Sequence, residues 1–477
     1  MQTKNLIGGE WREAQSGSTI AVTNPATDEH IADVPSLTEA ESSAAIDAAW
    51  QAWPEWRSRT AADRGDLLSK LASLMHRDAD RLARLMTLEQ GKPLAEARGE
   101  IAYAASFLSW AAEEGKRLAG EIIPASSASK RILVLRQPVG VCAIITPWNF
   151  PAAMITRKLG PALACGCTVV IKPAELTPLS ALAIGELAIE AGIPAGVVNI
   201  VTGDPKTVAK PFFDDDRVRK LSFTGSTAVG RQLMQSASKN LLRLSLELGG
   251  HAPFLVFDDA DLDQAVAAAI ACKFRNAGQT CICANRLFVQ DGIHDEFVRR
   301  FADATTSLQV GSGLTDGVAI GPLINDAAMD KVESHVADAQ HHGGEVVAGG
   351  KRLSIDGLAD RFYAPTVVSG MTSDMAIASE ETFGPVAPIA RFSTEDQAIA
   401  AANNSEYGLA AYFFTRDASR LMRVAEALEY GIVGANDAAP STAQAPFGGV
   451  KHSGMGREGG RYAMDEYSEI KYVSWGV

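Results

Sequence analysis

The chain has 477 residues, 47% of them hydrophobic, enough for two or three domains and a large core. Its 44 Lys and Arg against 57 Asp and Glu give a net charge of −13, which argues against nucleic acid or an anionic membrane as a main partner. No apolar run approaches the roughly 20 residues of a membrane span, residues 1–13 lack a signal-peptide pattern, and six cysteines are too few for a disulfide scaffold, so a reducing, cytoplasmic setting is expected.

In chain order, the first clear signal is Thr38-Glu39-Ala40-Glu41, a capping box that opens a helix to about residue 51, with Pro54 as its stop. Helical periodicity then runs from residue 60 to 117, broken at Gly91 and Pro93. These Ala- and Leu-rich helices with charged faces read as packing elements without chemistry. The character changes at Gly120. Residues 131–136 read as a strand that can pair with residues 121–123. An isolated hairpin is marginal in water, so this one is expected to pack on something else, such as another subunit.

From Val141 the pattern alternates. Strands are expected at 141–146, 168–171, 197–201, 220–223 and 244–248. Helices are expected after Pro151, from an N-cap at Thr177-Pro178 to Ala191, and from Ser226 to about Ala237. This predicts an α/β fold: a mostly parallel sheet with helices on both faces, binding ligands at the carboxyl ends of its strands. A second alternating region follows Gly250 and is assigned to a separate domain. It has strands near 253–257 and 286–289, and helices near 294–308, 331–341, 400–404 and 419–430.

The stretch from Phe274 to Cys283 reads Phe-Arg-Asn-Ala-Gly-Gln-Thr-Cys-Ile-Cys. Structural zinc usually takes two Cys-x-x-Cys pairs, an arrangement this chain lacks, so no metal is expected. A nucleophilic thiol at Cys281 is one reading; a small buried side chain is the other. Glu247 puts a carboxylate inside the apolar run 244–248, where it must be paired, neutralised or functional. With a thiol loop downstream and Gly249-Gly250 opening space beside it, a catalytic base is favoured over a structural ion-pair partner.

The fourth strand ends in Phe223-Thr224-Gly225-Ser226, with Gly230 beyond. Glycines there let backbone N–H groups approach a phosphate at a helix N-terminus, or serve as plain turn residues. The Gly-x4-Gly spacing begins a Walker A motif, but Arg231-Gln232 follow in place of Lys and Ser or Thr, which disfavours triphosphate hydrolysis. The Gly-x-Gly-x-x-Gly fingerprint is absent as well. Lys172-Pro173-Ala174-Glu175 ends the second strand, where Glu175 suits ribose hydroxyls, with a surface ion pair as the alternative. Asn149 stands between aromatic residues and prolines in Pro147-Trp148-Asn149-Phe150-Pro151. An amide held that rigidly suits an oxyanion donor, and a turn asparagine is the alternative.

Together these stretches closely resemble the aldehyde dehydrogenase superfamily of NAD(P)-dependent, non-phosphorylating enzymes. Glu380-Glu381-Thr382-Phe383-Gly384-Pro385 and Pro446-Phe447-Gly448-Gly449 complete the set, which follows family order over nearly the whole chain. Within it, residues 273–286, Met154-Ile155-Thr156-Arg157-Lys158 and the C-terminal Asp465-Glu466-Tyr467 are similar to the succinate-semialdehyde dehydrogenase subgroup. Asn-Asp-Ala-Ala-Pro at 436–440 departs from that subgroup, in a segment expected at the substrate entrance.

The resemblance implies a Rossmann-like dinucleotide-binding domain (1–119 and 139–249), an α/β catalytic domain (250–453) and a small β oligomerisation element (120–138 and 454–477), giving a homodimer or tetramer. It implies Cys281 as nucleophile, Glu247 as base and Asn149 as oxyanion donor. Trp148, Lys172, Glu175, Gly225, Ser226, Leu248, Glu381 and Phe383 would contact NAD, with NADP as the alternative cofactor. Arg157, Arg275 and Ser441 would bind the carboxylate of succinate semialdehyde, or of glutarate or 2-oxoglutarate semialdehyde. Cys283 is a candidate redox partner of Cys281. A cysteine hydrolase and a cofactor-free structural relative are the competing readings.

Overall fold

The computed structural model describes residues 1–477. After two short N-terminal strands and a hairpin (Thr19–Thr23 with His30–Pro35), four helices follow: α1 (Glu39–Ser58), α2 (Ala61–Arg77), α3 (Ala79–Gln90) and α4 (Leu94–Glu114). The expected capping box is present at Thr38, whose side chain accepts from Glu41 N while Glu41 reaches back. Pro54 does not stop α1. A proline inside a helix costs one backbone bond and about 3 kcal/mol, but the last turn is held by buried Trp56 and by Arg57 stacked 4.6 Å from the Trp53 ring. The helical run does break at Gly91, a left-handed cap with φ of 93°.

The first sheet has eight strands. Its five central strands are parallel: Val198–Ile200, Thr168–Lys172, Val141–Ile145, Val218–Thr224 and Arg243–Glu247, in that spatial order. Between them run α5 (Ala153–Cys165), α6 (Leu179–Ala191), α7 (Pro205–Asp214) and α8 (Thr227–Ala237). The period of two is explicit. Val141, Ala143 and Ile145 enter one apolar core with α1 and α7, whereas Cys142 and Ile144 enter the other with α2, α4 and α5. The start of α6 differs from expectation. The Thr177 hydroxyl donates to the Trp148 carbonyl, and the open N–H groups of Leu179 and Ser180 bond the Glu89 carboxylate of α3 at 2.7 and 2.8 Å. A buried carboxylate serves a helix N-terminus better than a hydroxyl does, because it also meets the dipole.

The second sheet has seven strands, six of them parallel, and encloses its own core of residues 252–447. It begins at Ala252–Val256, directly after Glu247-Leu248-Gly249-Gly250, and α9 (Leu262–Phe274) leads into the cysteine loop before Ala284–Gln290. The carboxyl edge of the first sheet therefore faces the amino edge of the second. A third sheet joins Glu121–Ile123, Lys130–Pro138 and Ser468–Gly476, as the hairpin reading anticipated. Its surface exposes Ile122, Ile470, Tyr472 and Trp475. Gly454–Met455 pairs instead with Arg243–Glu247 at the edge of the first sheet. No helix is long and apolar enough to cross a membrane.

Candidate active site

The five parallel strands, numbered along the chain, lie in the order 3-2-1-4-5. The order reverses between Val141–Ile145 and Val218–Thr224, and a ligand crevice opens at such a point, outside the carboxyl ends. The two loops leaving these strands carry Trp148-Asn149 and Gly225-Ser226. They line a cavity of about 270 Å³ together with Leu248, and Cys281, Glu381 and Phe383 close its far side. Close packing explains the glycines: a Cβ at Gly225 would lie 2.4 Å from the Phe223 ring, and one at Gly230 would lie 2.5 Å from Leu248. Ser226 caps α8, its hydroxyl accepting from Val229 N, so the positive end of that helix meets the cavity. Trp148 and Phe383 meet edge-on at 5.6 Å, and Phe383 is held at φ of 56°.

Cys281 sits where this cavity meets a second one. Before it, Asn276, Ala277 and Gly278 are all left-handed, with φ of 52°, 55° and 74°. Such a conformation costs an L residue about 1–2 kcal/mol and persists only where the surroundings fix it. Gln90 bonds the Asn276 side chain at 3.0 Å, Glu96 accepts from Asn276 N at 2.8 Å, and a Cβ at Gly278 would strike the Gly384 carbonyl at 2.1 Å. Gly250 packs so closely on the Cys281 carbonyl that a Cβ there would lie 2.2 Å away. Burial pushes the Cys281 thiol up to about 12; Arg157 and Arg275 oppose the rise, and Glu381 and Glu247 add to it.

Asn149 is fixed on three sides. Its carbonyl accepts from Lys92 at 2.8 Å and Asn276 at 3.1 Å, and its side-chain amide donates to Gln279 O at 3.0 Å. The second amide hydrogen remains for the cavity. Glu247 is 3% exposed, and neither carboxylate oxygen has a hydrogen-bond partner. Burial raises its pKa well above the carboxylate range; the charge of Glu458 adds to this, and Arg157 and Lys158 pull back. Burial likewise lifts Glu381 to about 7, against a hydrogen bond from Gly250 N at 3.2 Å. Glu247 lines neither this cavity nor the second, although its charge acts on the Cys281 thiol; an unpartnered, buried carboxylate is a candidate proton acceptor.

The second cavity, about 330 Å³, brings Arg157, Arg275 and Ser441 onto the same space as Cys281. Arg275 is exposed, makes no ion pair, and lies over the Phe150 ring at 5.3 Å. Arg157 is not free. Its Nε lies 2.9 Å from Glu458, off the line of a hydrogen bond, and its guanidinium stacks 3.8 Å from the Phe447 ring; Nη2 has no partner.

Lys172 and Glu175 line neither cavity. They form an ion pair at the end of Thr168–Lys172, beside the strand Val141–Ile145 that leads to Trp148. Burial lowers the Lys172 pKa although Glu175 opposes it. Cys283 also lies outside: its thiol is fully buried 3.3 Å from Lys273 Nζ, so a bridge to Cys281 requires the loop to move. Several residues of the site escaped the sequence reading. Lys92 comes from the turn between α3 and α4, and Glu96, Glu100 and Tyr103 come from α4, in a helical run that had read as packing alone. Glu458 and Lys158 form a buried ion pair behind Glu247. On a helix, a polar face toward a cavity looks the same as one toward solvent.

The aldehyde dehydrogenase family model matches residues 11–473. The chain is 57% identical to a succinate-semialdehyde dehydrogenase [NADP(+)] of Escherichia coli K12, over 99% of this chain and 97% of that protein. It is 56% identical to a glutarate-semialdehyde dehydrogenase of Pseudomonas putida KT2440, over 98% and 96%. The crystal structure of a succinate-semialdehyde dehydrogenase from Burkholderia pseudomallei superimposes with a TM-score of 0.98 at 54% identity, covering 100% of this chain and 98% of that one. With a match of this extent, and a thiol and an amide lining one crevice, the chain belongs to the aldehyde dehydrogenase family.

Proposed function

We propose that the protein oxidises a carboxylated semialdehyde to the acid with NAD(P), succinate semialdehyde first. The observation that carries this is the position of Cys281 between an arginine-lined cavity and the crevice at the strand-order reversal. That crevice fits a dinucleotide: a capped helix N-terminus suits its phosphates, and Trp148 and Phe383 give it aromatic walls. Trp148, Gly225, Ser226, Leu248, Glu381 and Phe383 would hold it there, with Lys172 and Glu175 toward the ribose. When bound, it supplies the hydride acceptor.

The residues of the chain do the rest. Cys281 attacks the aldehyde carbon, helped toward the thiolate by Arg157 and Arg275. The Asn149 amide and the Cys281 N–H hold the oxyanion. Oxidation leaves a thioester on Cys281. Glu247 draws a proton from water, which attacks the thioester and frees the acid. A raised pKa makes the ionised fraction of Glu247 a stronger base than a surface carboxylate. Glutarate semialdehyde is the second reading. The Pseudomonas putida relative, 56% identical over nearly the whole chain, carries that substrate in its name.

Arginine presents a fork that fits a carboxylate, and such a bond contributes about 1.5–3 kcal/mol. Arg275→Ala is therefore expected to raise KM for succinate semialdehyde roughly tenfold to a hundredfold, and butanal, which has no carboxylate, should suffer far less. Steady-state kinetics on both aldehydes check this; equal losses would make Arg275 a support of the loop.

NAD is the preferred cofactor. Glu175 accepts from a free ribose diol, while a 2′-phosphate about 4 Å away would be repelled by roughly 4 kcal/mol at an effective dielectric of 20, less what Lys172 and solvent screen. NADP, which the name of the E. coli relative carries, is the second cofactor. The expected result is a kcat/KM for NAD above that for NADP, with the gap narrowed by Glu175→Gln. A clear preference for NADP in the parent enzyme overturns this.

The proposal includes the domain division 1–119 with 139–249, 250–453, and 120–138 with 454–477. The exposed Ile122, Ile470, Tyr472 and Trp475 of the third sheet support a homodimer or tetramer, and the cytoplasm is the proposed setting.

A further inference from the structure

Ser441 lies in the irregular segment between Ile432–Ala435 and Val450–Lys451, and it makes one hydrogen bond, with the hydroxyl of Tyr103. Its backbone makes none. Tyr103, by contrast, stands on α4, a helix of 21 residues packed along α2 and α5. Its ring meets Phe107 edge-on at 4.8 Å, and Phe107 in turn lies 5.4 Å under the Arg157 guanidinium. Tyr103, Ser441, Arg157 and Arg275 all line the cavity of Cys281.

Of the two hydroxyls, the phenol is the better acid and hence the better donor. When Tyr103 donates to Ser441 Oγ, the serine proton has no other acceptor within the protein and is free to turn into the cavity, toward an anion. We propose that Tyr103 is a positioning residue for substrate selection: it holds Ser441 as a hydrogen-bond donor to the carboxylate of the aldehyde. This rests on the carboxylated-substrate reading. The rigid helix supplies the order that the loop lacks, so less freedom is lost when the substrate binds.

The test is a double-substitution cycle on the full-length enzyme with Tyr103→Phe, Ser441→Ala and the pair, reading kcat and KM for succinate semialdehyde and for butanal. Tyr103→Phe keeps the ring on Phe107 and removes only the hydroxyl. It is expected to lower the succinate semialdehyde-to-butanal ratio of kcat/KM by about threefold to tenfold, chiefly through KM. Ser441→Ala is expected to lower it at least as much, and the pair no further than Ser441→Ala alone, because one interaction is removed twice. If the pair loses the product of the two single effects, Tyr103 acts independently of Ser441 and the proposal falls. A discriminating parent whose ratio survives Tyr103→Phe overturns the proposal alone. A parent that takes both aldehydes equally overturns the reading beneath it, and the proposal with it.

Discussion

Glu247→Gln is expected to separate the two halves of the reaction. General-base assistance is worth typically about 10²–10⁴-fold, so steady-state turnover should fall by that order while the first hydride transfer proceeds. Rapid mixing with NAD and succinate semialdehyde would then give a burst of NADH close to one per active site, followed by a slow phase. Folding should not suffer. Both oxygens of Glu247 are buried without a partner, and an amide of the same shape keeps the packing of the neutral acid that burial favours. Burial already keeps its pKa high, so the substitution resembles the protonated form. A variant that turns over as fast as the parent would remove Glu247 from the mechanism.

The second large effect belongs to Asn149. Removing one oxyanion donor costs about 10²–10³-fold in kcat. Asn149→Ala keeps the backbone carbonyl that Lys92 and Asn276 bond and deletes the amide that faces the cavity. We expect kcat to fall by that amount with KM nearly constant. The rate of Cys281 alkylation by iodoacetamide should hold, which separates loss of the oxyanion donor from collapse of the cysteine loop. A fall in kcat of less than tenfold, or a parallel loss of thiol reactivity, would assign Asn149 to structure.

Much of this was legible in the chain. The five parallel strands each showed as a short apolar run between turn signals, because a strand buried on both faces needs no polar alternation. Their order in space was not legible, since 3-2-1-4-5 depends on which crossover each helix makes. Cys281, Glu247 and Asn149 each had a structural alternative in the sequence, and only their occurrence together with the other motifs singled them out. Arg157 did not betray its pairing with Glu458, some 300 residues away. Cys283 gave no sign of turning toward Lys273. Tyr103 and Glu96 lay inside helical periodicity, which reports a face and not what the face meets. Pro54 and Thr177 misled for a related reason: local rules set a preference, and Trp56 and the Glu89 carboxylate outweigh it.

The central claim is that oxidation runs through a covalent bond to Cys281 that Glu247 then helps to cleave. The most direct measurement is intact-protein and peptide mass spectrometry of Glu247→Gln, quenched in acid after mixing with NAD and succinate semialdehyde. The account predicts a succinyl group on the peptide carrying Cys281, in step with the NADH burst and released by hydroxylamine. NADH accumulating while Cys281 stays unmodified would contradict it.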